Sequence, residues 1–197
     1  MEAGRYKVLP LDDRVFEKMN PDTAGRPVLI KGKSQLLFPG MGPLSENSLL
    51  NLKNRSHAVS AMVTVPDGGG KGVVIAQGAN IGGWSLYFNE GKIKYCYNYG
   101  GFSLHFVESS DVVAPGDHQL RMEFAYAGGG LGKGGKVTLY VDGSKVGEGD
   151  IPATLATIFS ADDGLDIGED AGAPVSTDYV ARENHFNGSI KGLMLET

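Results

Sequence analysis

Trp84, Tyr87, Tyr95, Tyr97, Tyr99 and Phe102 crowd one short stretch of this chain. Aromatic rings in a row can stack on the apolar faces of sugars while polar neighbours fix the hydroxyls. Arg121, Arg182 and Lys94 are the cations that could accompany them in a groove. The competing reading is core packing and ordinary cross-strand pairing, which suits Trp84 better than the tyrosines.

A second constellation is acidic: Asp162, Asp163, Asp166, Glu169 and Asp170. Carboxylates in a loop, helped by backbone carbonyls, can hold calcium. The spacing is not that of an EF-hand loop, and turn-forming aspartates in a solvated loop explain it as well. No cofactor is expected, and calcium is the one ion that Asp162, Asp163, Asp166 and Asp170 could hold.

Other chemistry is weaker. Gly130-Leu131-Gly132-Lys133-Gly134-Gly135-Lys136-Val137 matches a phosphate-binding loop until the last position, where Val137 replaces the Ser or Thr that meets the metal. A strand follows it, whereas the phosphate needs a helix N-terminus. His57, His105, His118 and His185 show no zinc-ligand spacing. Cys96, the only cysteine, has no base or glycine elbow beside it and reads as a small strand residue.

These side chains need a scaffold, and the sequence describes one. A hydrophobic fraction of 41% across 197 residues can build the core of one domain. The net charge of −5 without a basic stripe argues against nucleic acid. No apolar run approaches the roughly 20 residues of a membrane-spanning helix, and no signal peptide is visible, so the compartment is open. The first 25 residues read as a linker with a short helix, capped at Asp12 or Asp13 and ended by Asn20-Pro21.

From Arg26 onward, apolar residues recur at every second position. Val59, Ala61, Val63 and Val65 share one face. Leu120, Met122 and Phe124 share another, as do Val137, Leu139 and Val141. Gly72–Gln77 reads as a strand covered on both faces. Trp84–Phe88 should pair with Ile93–Tyr99 across Asn89-Glu90-Gly91, and Asp142-Gly143 should make a type I′ turn. A closing strand is expected from Phe186 to Leu195. Many short strands joined by Gly, Pro and Asp turns predict an all-β sandwich or jelly roll over residues 26–197.

The Val137–Gly149 hairpin and the strand Phe186-Asn187-Gly188-Ser189-Ile190-Lys191-Gly192 resemble concanavalin A-like, laminin G-like sandwiches. There Phe186 and Ile190 would fill the core, and Gly188 would admit a neighbouring backbone. A longer series of runs resembles the C-terminal region of a bacterial arylsulfatase subfamily. It comprises Tyr6–Arg14, Gly25-Arg26-Pro27, Leu36–Asn47, Ala76-Gln77-Gly78, Gly82–Tyr87, Lys94–Asn98, Arg121–Tyr126 and Phe159-Ser160-Ala161-Asp162.

The sulfatase signature, Cys or Ser then x-Pro-x-Arg, is absent, because Cys96 precedes Tyr97, Asn98, Tyr99 and Gly100. The resemblance thus implies a non-catalytic accessory domain that packs on a sulfatase catalytic domain or shapes substrate access, with Tyr6–Asn20 contacting that domain. No Glu-x-Asp-x-x-Glu triplet of a sandwich glycoside hydrolase lies on an expected strand. The alternative is an independent carbohydrate-binding module for sulfated or acidic glycans. A contiguous apolar patch on one sheet would favour the docked domain; a concave groove would favour sugar binding.

Overall fold

The computed structural model describes residues 29–197. The expected linker and helix of residues 1–25 lie outside them. Eleven strands run in chain order: β1 (Ser34–Leu37), β2 (His57–Val65), β3 (Gly72–Ala79), β4 (Gly82–Asn89), β5 (Lys92–Tyr99), β6 (Ser103–Glu108), β7 (Gly116–Tyr126), β8 (Lys133–Val141), β9 (Ser144–Ala153), β10 (Leu165–Ile167) and β11 (Ser189–Glu196). A 3₁₀ turn at Glu46–Ser48 is the one helical element among the described residues.

The strands form two antiparallel sheets. Sheet A has the order β1-β11-β2-β7-β8-β9, and sheet B the order β10-β3-β4-β5-β6. Local chemistry sets the hairpins. Glu90 (φ 51°) with Gly91 (φ 78°), and Asp142 (φ 50°) with Gly143 (φ 78°), take the positive φ angles that two-residue turns need. The first turn pairs Trp84 with Tyr97, Leu86 with Tyr95 and Phe88 with Ile93, the expected hairpin.

The core lies between the sheets. Val59, Ala61, Val63 and Val65 meet Leu120, Met122 and Phe124 from sheet A, and Trp84, Leu86, Phe88, Ile93, Tyr95 and Tyr97 face them from sheet B. Alternation in each strand produces this split, since neighbouring side chains point to opposite faces. The closing strand starts later than expected, at Ser189, but Phe186 is buried and Ile190 packs on the core. A Cβ added to Gly188 would stand 2.2 Å from the Thr64 carbonyl oxygen, so glycine there admits the neighbouring backbone as expected.

The outer faces of the sheets differ. Residues 168–188 form a strap over sheet B, and Val73, Ala76, Tyr87, Cys96 and Val175 make a second small core beneath it. Tyr87 donates its hydroxyl to Asp178 Oδ2 at 2.6 Å, and Lys94 Nζ approaches the same carboxylate at 2.7 Å. Asn98 Nδ2 donates to the Val175 carbonyl, and Val73 N to the Asn184 carbonyl. β3 is buried along its whole length for this reason, and because β10 rather than β3 forms that edge of the sheet. Sheet A carries no comparable cover among the described residues.

Candidate functional site

The aromatic candidates divide between two interiors. Trp84, Tyr95 and Tyr97 point into the main core. Trp84 is 1% exposed, and its Nε1 donates to Gln77 Oε1 at 3.1 Å. The Tyr97 hydroxyl accepts from the Leu155 amide at 2.7 Å. Tyr87 points the other way, under the strap, with the Tyr179 ring edge-on at 5.1 Å. Tyr99 is half-buried against the core. The expected row of stacking rings is thus corrected for Trp84, Tyr87, Tyr95 and Tyr97. Alternation sends them to opposite faces of sheet B, and both faces are covered. Phe102 alone of the group stands free, at a hairpin tip.

The carboxylates are tied into the strap and its approach. Asp163 accepts from the Ala173 amide and Asp166 from the Ala171 amide. Asp170 Oδ2 accepts both the Val175 amide at 2.9 Å and the Tyr179 hydroxyl at 2.6 Å. Burial first, and then neighbouring carboxylates, raise the Asp166 and Asp170 carboxyls above the usual range. Asp162 stands at the exposed side of a cleft of ≈ 160 Å³ that it shares with Asp163 and Glu46. Among the described residues no group of three or more His, Cys, Asp or Glu is arranged to hold a metal ion.

The glycine-rich stretch runs from the β7–β8 turn into β8, and its amides are partly spent: Gly132 N donates to Asn54 Oδ1 and Lys133 N to the Tyr126 hydroxyl. The histidines are dispersed: His118 pairs with Asp142 at 2.7 Å, and His185 with Glu169 at 3.2 Å. Burial beneath the strap pushes the Cys96 thiol up to about 12, so it is not a nucleophile at neutral pH.

Arg121 is different. It lies on the open outer face of sheet A, half-buried. Its Nε donates to Glu123 Oε1 at 2.8 Å, and its Nη1 to Ser60 Oγ at 2.8 Å and Glu196 Oε2 at 2.6 Å. Strand register places it at the centre of a row. Leu36 pairs with Met194, Met194 with Ser60, Ser60 with Arg121, Arg121 with Tyr140 and Tyr140 with Lys145. At about 4.8 Å per strand, the six positions span roughly 24 Å.

The row begins with two apolar residues, Leu36 and Met194, and Phe38 and Met62 flank them. Leu36 is 52% exposed, Phe38 47%, Met62 44% and Met194 37%. Gly192 lies between them: it pairs with Met62, and its missing side chain leaves the Phe38 ring 3.6 Å from where a Cβ would be. The gap opens a groove of ≈ 500 Å³, floored by Gly192 and Ser60, walled by Leu36, Phe38 and Met62, and ended by Arg121. Arg121 was legible as a candidate; its partners were not. A signal was present in β2, where the outward set Ser60, Met62 and Thr64 holds one large apolar residue at a position that alternation assigns to solvent.

No protein-family model and no curated protein matches the chain in sequence. Among solved structures, it is similar to the Ruminococcus gnavus IT-sialidase CBM40 bound to alpha2,3 sialyllactose. The identity is 12% over 86% of this chain and 92% of that one, with a TM-score of 0.53. It is also similar to domains LG4-5 of the mouse laminin alpha1 chain, at 15% identity over 85% of this chain and 39% of that one, with a TM-score of 0.46. A third is the native heptameric SAP-like pentraxin from Limulus polyphemus, at 14% identity over 82% of this chain and 73% of that one, with a TM-score of 0.42.

This chain therefore spans about two fifths of the laminin fragment. None of these three is a sulfatase, so arylsulfatase parentage rests on the sequence resemblance alone. No helix among the described residues is long and apolar enough to cross a membrane. The likeness is one of fold: the chain is an all-β, concanavalin A-like jelly roll of two antiparallel sheets.

Proposed function

We propose that this domain binds carbohydrate on the outer face of sheet A. The observation that carries the reading is the groove at Gly192, where apolar walls meet the Arg121 guanidinium, the Lys191 ammonium, the Glu196 carboxylate, a serine hydroxyl and the Gln119 amide. Sugars present both kinds of surface, with C–H faces for the walls and hydroxyls for the polar end. Arg121 is held by three acceptors, so its unused donors are pre-oriented, which lowers the entropy lost on binding. The fold likeness to a carbohydrate-binding module agrees with this reading.

The test fills the groove without removing a contact. A Cβ at Gly192 meets only Phe38 and the Leu37 carbonyl, both at ordinary contact distance, so Gly192→Ala should fold normally, and Gly192→Val is compared with it by Tm before either is applied to the array. On a printed glycan array, the unmodified domain should retain a set of glycans that Gly192→Val and Arg121→Ala lose. Lys71→Ala, in a distant exposed loop, should keep them. Equal binding by all of these proteins would place the ligand elsewhere.

A second reading keeps the accessory domain of an arylsulfatase-type hydrolase, docked on its catalytic domain. The four exposed apolar side chains favour it, since a covered sheet face needs such a patch. It predicts an array blank for every glycan, with Met62→Lys and Met194→Lys reducing binding of a hydrophobic dye. In either reading the role proposed for this chain is binding.

A further inference from the structure

The charges around the groove narrow the ligand. Arg121 faces Glu123 and Glu196, and Lys191 faces Asp117, so two cations meet three carboxylates. Asp117 is held in turn by the Thr64 hydroxyl at 2.6 Å. A carboxylate or sulfate entering here would meet cations already neutralised, with one excess negative charge, on a chain of net charge −5. Such a site neither steers nor repays an anion. Leu36, Phe38, Met62 and Met194 meanwhile expose large apolar side chains together, which a methyl-bearing substituent covers in addition to the C–H faces that every sugar ring offers.

We infer that the groove takes uncharged glycans that carry apolar substituents, such as acetamido or 6-deoxy methyl groups. The substituent lies between Phe38 and Met62 over Gly192, and ring hydroxyls reach Arg121, Ser60 and Gln119. This rests on the carbohydrate-binding reading, and it departs from the sulfated or acidic glycans expected from sequence.

The experiment compares triacetylchitotriose, cellotriose and 3′-sialyllactose with a sulfated chondroitin tetrasaccharide, by calorimetry at low and high salt. An array grouped by charge and by acetyl or deoxy content extends it. A buried methyl group discriminates by about tenfold or more. Triacetylchitotriose should therefore bind at least about tenfold tighter than cellotriose, with an affinity independent of salt. Met62→Ser, at an exposed position, should erase that preference.

Preference for sialyllactose or the sulfated sugar, falling as salt rises, would overturn this inference and leave carbohydrate binding standing. Equal affinity for the acetylated and plain trisaccharides would also overturn it. A blank across probes and array would remove both the ligand class and the carbohydrate reading.

Discussion

Replacing Asp170 with alanine should unlatch the strap that closes sheet B. Asp170 is 2% exposed, and one of its oxygens accepts from both the Val175 amide and the Tyr179 hydroxyl. Alanine leaves a buried donor, the Val175 amide, and a partly buried one, the Tyr179 hydroxyl, unpaired, each at a cost of about 1–3 kcal/mol. The gross loss is about 2–6 kcal/mol, and part of it is offset because a desolvated carboxylate is also removed. A net loss of about 2–4 kcal/mol follows, or roughly 4–16 °C in Tm for a domain of this size.

Cys96 reports the opening directly. It is the only cysteine, and it is buried beneath the strap. Labelling by a thiol reagent under native conditions should be slow in the unmodified protein and much faster in Asp170→Ala. Asp170→Asn keeps an acceptor and should lie between them. A Tm within a degree of the original, with no gain in labelling, would refute the claim that this carboxylate latches the strap. It would also weaken the argument that sheet A alone offers an open face.

Three further outcomes are expected. Asp166 has a folded-state pKa raised above its unfolded value, so its proton stabilises the folded state below the usual carboxylate range and that contribution fades as pH rises through the folded value. Asp166→Asn, which keeps an acceptor for the Ala171 amide, should thus be more stable than the unmodified protein at pH ~7, and a urea series should show the gap closing toward pH ~4. Gly188→Ala drives a Cβ to 2.2 Å from the Thr64 carbonyl and should cost about 1–3 kcal/mol or more, visible as a lowered urea midpoint with an unchanged slope. Millimolar calcium against chelator should leave Tm unmoved, because Asp170 is spent on two donors and Asp163 and Asp166 each hold a strap amide; a saturable rise would place an ion among them.

The hairpins were legible because their causes are local. Period-two alternation and the Glu90-Gly91 and Asp142-Gly143 turns lie within a few residues of what they organise. The burial of Tyr87 has a distant cause. Alternation sets it opposite Trp84, but only the strap residues Ser176, Asp178 and Tyr179 decide that this outer face is covered. The aromatic platform failed on that point. The groove was hidden for a similar reason: Leu36 and Met194 become neighbours only when the first and last strands pair. Arg121 was visible as a cation on a clean strand, yet Ser60 and Glu196, which hold it, come from separate strands.

The most direct measurement uses the methionine methyl groups. Met62 and Met194 stand at the groove, and Met122 lies in the core behind it. With methyl-labelled methionine, titration of a glycan retained on the array should move the Met62 and Met194 signals saturably and leave Met122 in place. Binding without movement of either groove methyl, or with shifts confined to amides at the Phe102 hairpin tip, would contradict the assignment of sheet A's outer face as the binding surface.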